Sequence, residues 1–95
     1  MIYLDNAATS FPKPESVYTQ MDKCARTYCA NPGRGSHSMS IQSAMAVSRA
    51  RERIARLINV RDGLNISFTK NATEALNLAI FGCLERGDHV VTTCM

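Results

Sequence analysis

Apolar residues recur at helical spacing in three stretches of the chain. Val17, Met21, Cys24, Ala25 and Tyr28 fall on one face after Pro14, which suits a first helical turn, and Glu15 sits favourably near the positive helix end. This first helix should stop before Asn31-Pro32, because the residue ahead of a proline is pushed out of helical angles. A second helix is predicted from about Ser40, with Ile41, Ala44, Met45, Val47, Ala50, Ile54, Leu57 and Ile58 on a drifting stripe and Glu52 four residues before Arg56. A third carries Leu76, Ala79, Ile80, Cys83 and Leu84. Asn71 with Glu74 resembles a capping box at its start, and Gly87 is placed to end it.

Between these helices the period changes. Leu64 to Phe68, after the turn signal Asp62-Gly63, reads as a short strand, and His89 to Thr93 as a second. Strand, helix and strand of these lengths predict a right-handed βαβ unit with parallel strands. Two parallel strands need flanking strands and covered faces, so the pattern is that of the front end of a longer α/β protein. If the piece is ordered alone, the apolar surface near Leu64 to Phe68 and His89 to Met95 is expected to be hidden by another copy. Residues 1–14 form an irregular, partly extended lead-in with Pro12 and Pro14. Residues 31–37, with two glycines, a proline and an asparagine, form a loop of unusual backbone freedom.

Composition narrows the function classes. At 95 residues there is room for one small core. The chain is 45% hydrophobic and 20% charged, so it should pack, and with 6% aromatic residues and no tryptophan the core would be aliphatic. The net charge of +3 is concentrated at Arg49, Arg51, Arg53, Arg56 and Arg61, mainly on the outer side of the second helix. A solvated face is favoured there over nucleic-acid binding, because no reader module accompanies it. No apolar run is long enough to span a membrane, and the start lacks a secretory layout, so the chain reads as cytoplasmic. Cys24, Cys29, Cys83 and Cys94 contain no C-x-x-C pair, and free buried thiols without function are expected, with no metal site.

The turn from strand to third helix, Thr69 to Glu74, places unpaired amides and a positive helix end where anions bind in βαβ units. Neither G-x-x-x-x-G-K-[ST] nor G-x-G-x-x-G is present. A small phosphate held by backbone amides and the Thr73 hydroxyl, with Ala72 leaving room, stands beside the alternative of a purely structural cap.

Four segments in order shift that balance. Tyr3-Leu4-Asp5-Asn6-Ala7-Ala8-Thr9, Asn31-Pro32-Gly33-Arg34-Gly35-Ser36-His37, Phe68-Thr69-Lys70-Asn71-Ala72-Thr73-Glu74-Ala75-Leu76-Asn77 and Gly87-Asp88-His89-Val90-Val91 together resemble the amino-terminal quarter of a class V aminotransferase-type enzyme of the cysteine desulfurase and selenocysteine lyase group. The resemblance implies an α/β fold, the amino-terminal part of a fold type I (aspartate aminotransferase-like) large domain whose helices flank the start of a mostly parallel sheet. Residues 1–14 would be an active-site lead-in and residues 15–95 the first, incomplete part of the large domain.

The resemblance also implies pyridoxal 5'-phosphate as cofactor. Ala72 and Thr73 would hold its phosphate, with Asn71 standing where the family often has glycine. Asn6, Ala7 and Ala8 would line the substrate mouth, and Arg34 and His37 would reach toward the active site of the neighbouring subunit of a homodimer. The implied reaction converts L-cysteine to L-alanine and an enzyme-bound persulfide, with a sulfur acceptor protein as a further partner.

Lys70 is not the family's cofactor-anchoring lysine and reads as a solvated charge. His89 reads as structural, and none of the four cysteines corresponds to the persulfide carrier. No catalytic residue is expected among these 95, and the isolated chain is expected to be inactive. The alternatives are another class V enzyme, an aminotransferase or kynureninase-like hydrolase, and, from other classes, a small basic anion- or RNA-binding module or a purely structural piece.

Overall fold

The computed structural model describes residues 2–94. Met1, where the lead-in begins, and Met95, where the second apolar edge was expected to end, lie outside the described residues.

Helix α1 covers Glu15–Thr27. Its polarity matches the helix dipole, with Glu15 in the first turn and Arg26 in the last. Arg26 Nε also meets Asp22 Oδ1 one turn back at 2.6 Å. The helix ends at Thr27, with Tyr28 as its C-cap, short of Asn31-Pro32 as expected.

Helix α2, Ser38–Leu57, is the longest element, about 30 Å at the usual rise. Its first two turns receive the chain leaving α1. The Ser43 hydroxyl donates to the Tyr28 carbonyl at 2.5 Å and accepts from the Ala30 amide at 3.3 Å, and the Ser40 hydroxyl donates to the Asn31 carbonyl at 2.6 Å. Both serines are buried. Ala55 is the one buried hydrophobic residue among those described.

After α2 the chain reverses through Asn59, a non-glycine residue at φ 58°, and enters a single 3-10 turn, Gly63–Asn65. Asp62 starts this turn by accepting the Leu64 amide on Oδ1 at 2.8 Å. The turn lies hard against α2, since a Cβ on Gly63 would stand 3.0 Å from the Glu52 nitrogen. Helix α3, Ala72–Cys83, follows after an extended run.

Several expectations are corrected. The strands at 64–68 and 89–93 do not form: Gly63–Asn65 is helical, the remaining residues are unpaired, and no strand is present among the described residues. The parallel sheet and the βαβ unit are therefore absent from this structure. The physical reason is that β-branched residues fit a ladder but cannot supply the second edge it requires. α3 ends at Cys83, four residues before Gly87, which instead serves a turn at φ 106°.

The chain also packs less than its composition predicts. Its surface of 8867 Å² compares with about 5,400 Å² for a compact monomer of this mass. Its radius of gyration of 17.5 Å compares with about 12 Å. Cys29, Cys83 and Cys94 are exposed and Cys24 half-buried, so the unpaired thiols are not core residues.

Arg51 departs from the outer-face expectation. It is half-buried, its guanidinium lies 6.0 Å from the centre of the Phe68 ring, and its Nε is buried without a hydrogen-bond partner. Through this contact α2 carries the strand-like run that leads into α3.

Candidate functional site

The amino end of α3 is built by side chains that occupy some donors and leave others free. Asn71 is the N-cap, with extended backbone, and its Oδ1 accepts the Glu74 amide at 2.9 Å. Glu74 reaches back and its Oε2 accepts the Lys70 amide at 2.7 Å. This is the expected capping box displaced by one residue, since the usual form returns the carboxylate to the N-cap amide itself.

The Thr69 hydroxyl donates to the Asn71 carbonyl at 2.9 Å. Among the described residues, the amides of Asn71, Ala72 and Thr73 and the Thr73 hydroxyl have no partner. Asn71, Ala72 and Thr73 are all exposed, so the corner is open to solvent.

Consecutive free amides at a positive helix end, with one adjacent hydroxyl, match the requirements of a small anion. The three residues are exposed, and Ala72 contributes only a methyl group beside the free amides. The residues present therefore fit a phosphate group. Lys70 is exposed, in keeping with a solvated charge.

The lead-in is organised by itself. Asn6, Ala7 and Ala8 form a turn in which the Ala8 amide donates to the Asp5 carbonyl at 3.2 Å. The Asn6 side chain is committed to this turn: Oδ1 accepts the Phe11 amide at 3.1 Å and Nδ2 donates to the Tyr3 carbonyl at 3.4 Å. The Tyr3 hydroxyl closes the loop on the Thr9 carbonyl at 2.9 Å, and the Tyr3 and Phe11 rings meet edge to face at 5.6 Å.

In the third region Arg34 is exposed at the end of the turn over residues 32–34, which Asn31 Oδ1 fixes by accepting the Gly33 amide at 2.8 Å. His37 caps α2, its Nδ1 accepting the Ser40 amide at 3.4 Å. Gly35 is required there, because a Cβ would stand 2.7 Å from Ser40 Cβ.

No hydrogen bond among the described residues joins these three regions. The structure brings Asn71, Ala72 and Thr73 together at one corner, and Arg34 and His37 onto one loop. Asn6, Ala7 and Ala8 share no hydrogen bond with either among the described residues. Sequence reasoning missed Ser40 and Ser43, which seat the Arg34–His37 loop on α2. The available signal was a pair of hydroxyls three residues apart at the start of an otherwise apolar stripe.

The family description "Aminotransferase class-V" matches residues 2–95. A protein of Synechocystis sp. named "Probable cysteine desulfurase" is 38% identical over 99 residues, covering 100% of this chain and 23% of that protein. A Haloferax volcanii protein named "Cysteine desulfurase" is 38% identical over 100 residues, with 100% and 23% coverage. A "Probable cysteine desulfurase" of Pyrococcus abyssi is 40% identical over 97 residues, with 98% and 23% coverage. No solved structure matches. The chain thus spans 23% of the length of these relatives. No helix among the described residues is long and apolar enough to cross a membrane, and no group of side chains there is arranged to hold a metal ion. With the match running through all four sequence segments, this chain belongs to the aminotransferase class-V family.

Proposed function

We propose that this chain is part of a pyridoxal 5'-phosphate-dependent cysteine desulfurase and contributes the phosphate end of the cofactor site. The observation that carries the reading is the α3 corner, where three consecutive amides and the Thr73 hydroxyl stand free on a segment of a class V chain. The names of the relatives support cysteine as substrate.

In this reading Ala72 and Thr73, with the Asn71 amide, bind the phosphate, and the α3 dipole favours its negative charge. The turn of Asn6, Ala7 and Ala8 borders the substrate mouth with small side chains. Arg34 and His37, on a loop whose ends are fixed by Asn31 and Ser40, face the active site of a second subunit in a homodimer. When bound, the cofactor supplies an electron sink for bond cleavage at the substrate's carbon atoms.

Residues 1–14 act as lead-in and residues 15–95 as the first part of a fold type I large domain. The unpaired runs at 66–69 and 88–94 then join a sheet completed by other strands. The three exposed, unpaired cysteines suit a reducing cytoplasm, and a sulfur acceptor protein removes the product sulfur.

The test uses the full-length protein. Supplied with pyridoxal phosphate, cysteine and a thiol reductant, it is expected to release alanine and sulfide in equal amounts, and absence of alanine overturns the reading. Thr73→Val should weaken cofactor binding about tenfold or more, the usual effect of losing a hydrogen bond to a charged group. The 95 residues alone are expected to release no sulfide, since by the family resemblance neither Lys70 nor any of the four cysteines corresponds to the cofactor-anchoring lysine or the persulfide carrier.

A further inference from the structure

The turn at 69–74 divides its donors in a way that a simple helix cap does not require. The Lys70 amide is taken by the Glu74 carboxylate and the Glu74 amide by Asn71, while the amides between them stay free. The Asn71 carbonyl is held from two sides, by the Thr69 hydroxyl at 2.9 Å and the Ala75 amide at 3.2 Å. In a planar trans peptide the carbonyl and the following N–H point in opposite directions, so fixing the Asn71 carbonyl also fixes the aim of the Ala72 N–H.

We propose that Glu74 is a positioning residue of the phosphate cup, closing the turn through the Lys70 amide so that the Ala72 and Thr73 donors are aimed before any ligand arrives. This rests on the phosphate-site reading above. Donors that are already oriented bind without first losing conformational freedom, which is where preorganisation gains affinity.

A carboxylate one residue from the free amides opposes a dianion electrostatically, so on charge alone its removal should tighten phosphate binding. Positioning requires the reverse. The Glu74 carboxylate is engaged by the Lys70 amide at 2.7 Å, a bond that keeps the turn closed.

The experiment compares binding of pyridoxal phosphate and of pyridoxal, which lacks the phosphate, to the full-length protein freed of cofactor. Glu74→Ala is expected to weaken pyridoxal phosphate about tenfold and leave pyridoxal unchanged. Glu74→Gln, whose amide oxygen can still accept from Lys70, should keep most of the wild-type affinity. Thr69→Val removes one of the two bonds to the Asn71 carbonyl without altering charge and should lower the phosphate preference a few-fold, roughly the value of one neutral hydrogen bond.

Equal or tighter binding of pyridoxal phosphate by Glu74→Ala overturns the proposal, as does a loss shared equally by both ligands. If Glu74→Ala does not fold, Glu74→Gln and Thr69→Val decide the matter, and the proposal falls if Thr69→Val keeps the full phosphate preference. Thr73→Val separates the two levels. If it leaves the preference for the phosphorylated ligand intact, the phosphate site itself is wrong. If it abolishes that preference while Glu74→Ala retains it, only the positioning role is wrong.

Discussion

Residues 28–68 and residues 72–94 obey different rules, although both hold a helix and a strand-like run. In the first region α2 gathers its neighbours: two buried serines hold the chain from α1, Gly63 lies against the Glu52 backbone, and the Arg51 guanidinium lies over one face of the Phe68 ring. In the second, every described residue is exposed, including Leu76 at 62%, Ile80 at 50% and Phe81 at 82%. α3 nevertheless has the more complete amino-terminal cap. The contrast shows that a helix can be fully specified at its end by local polar bonds while its apolar face has no partner among the described residues.

Four substitutions test this contrast through the local opening free energies that amide hydrogen exchange reads along the chain. Gly35→Ala should be the most damaging, about 3 kcal/mol, because the new methyl overlaps Ser40 and forces the loop off α2. Ser43→Ala should cost about 1.5 kcal/mol, since it removes the hydroxyl shared by the Tyr28 carbonyl and the Ala30 amide, which keep only their bond to each other at 2.8 Å. Asn71→Ala should cost about 1 kcal/mol and show as faster hydrogen exchange at the Glu74 amide. Phe81→Ala should change stability by less than about 0.5 kcal/mol, as its side chain touches water on most sides.

In the full-length protein the order should invert for that last residue, with Phe81→Ala costing about 3 kcal/mol or more once its face is covered. A large effect of Phe81→Ala in the 95 residues alone would dissolve the distinction between the two regions.

The helices were legible because their signal is local. Val17, Met21, Cys24 and Tyr28 mark α1 by spacing alone, and Asn71 with Glu74 marks the start of α3 three residues apart. The strands were legible as composition but not as structure, since Ile66 or Val90 cannot show whether a neighbouring edge exists to receive its amide. Ser40 and Ser43 escaped notice for a related reason: their partners are backbone carbonyls nine and fifteen residues away, and carbonyls leave no mark in a side-chain pattern. Arg51 was assigned to solvent by its charge, whereas its contact with Phe68 depends on the chain reversal at Asn59 and Asp62. At the α3 corner, the donors could be expected from the sequence, but their division between used and free could not. That division depends on which amide the Glu74 carboxylate reaches.

The joint between α1 and α2 has a further consequence, in how it responds to temperature. It is made of hydroxyl-to-carbonyl bonds and not of packed aliphatic groups, so it lacks the large heat-capacity signature that weakens oily contacts in the cold. The Arg34–His37 loop should therefore keep its seat on chilling, under conditions in which apolar surfaces elsewhere in the protein begin to loosen.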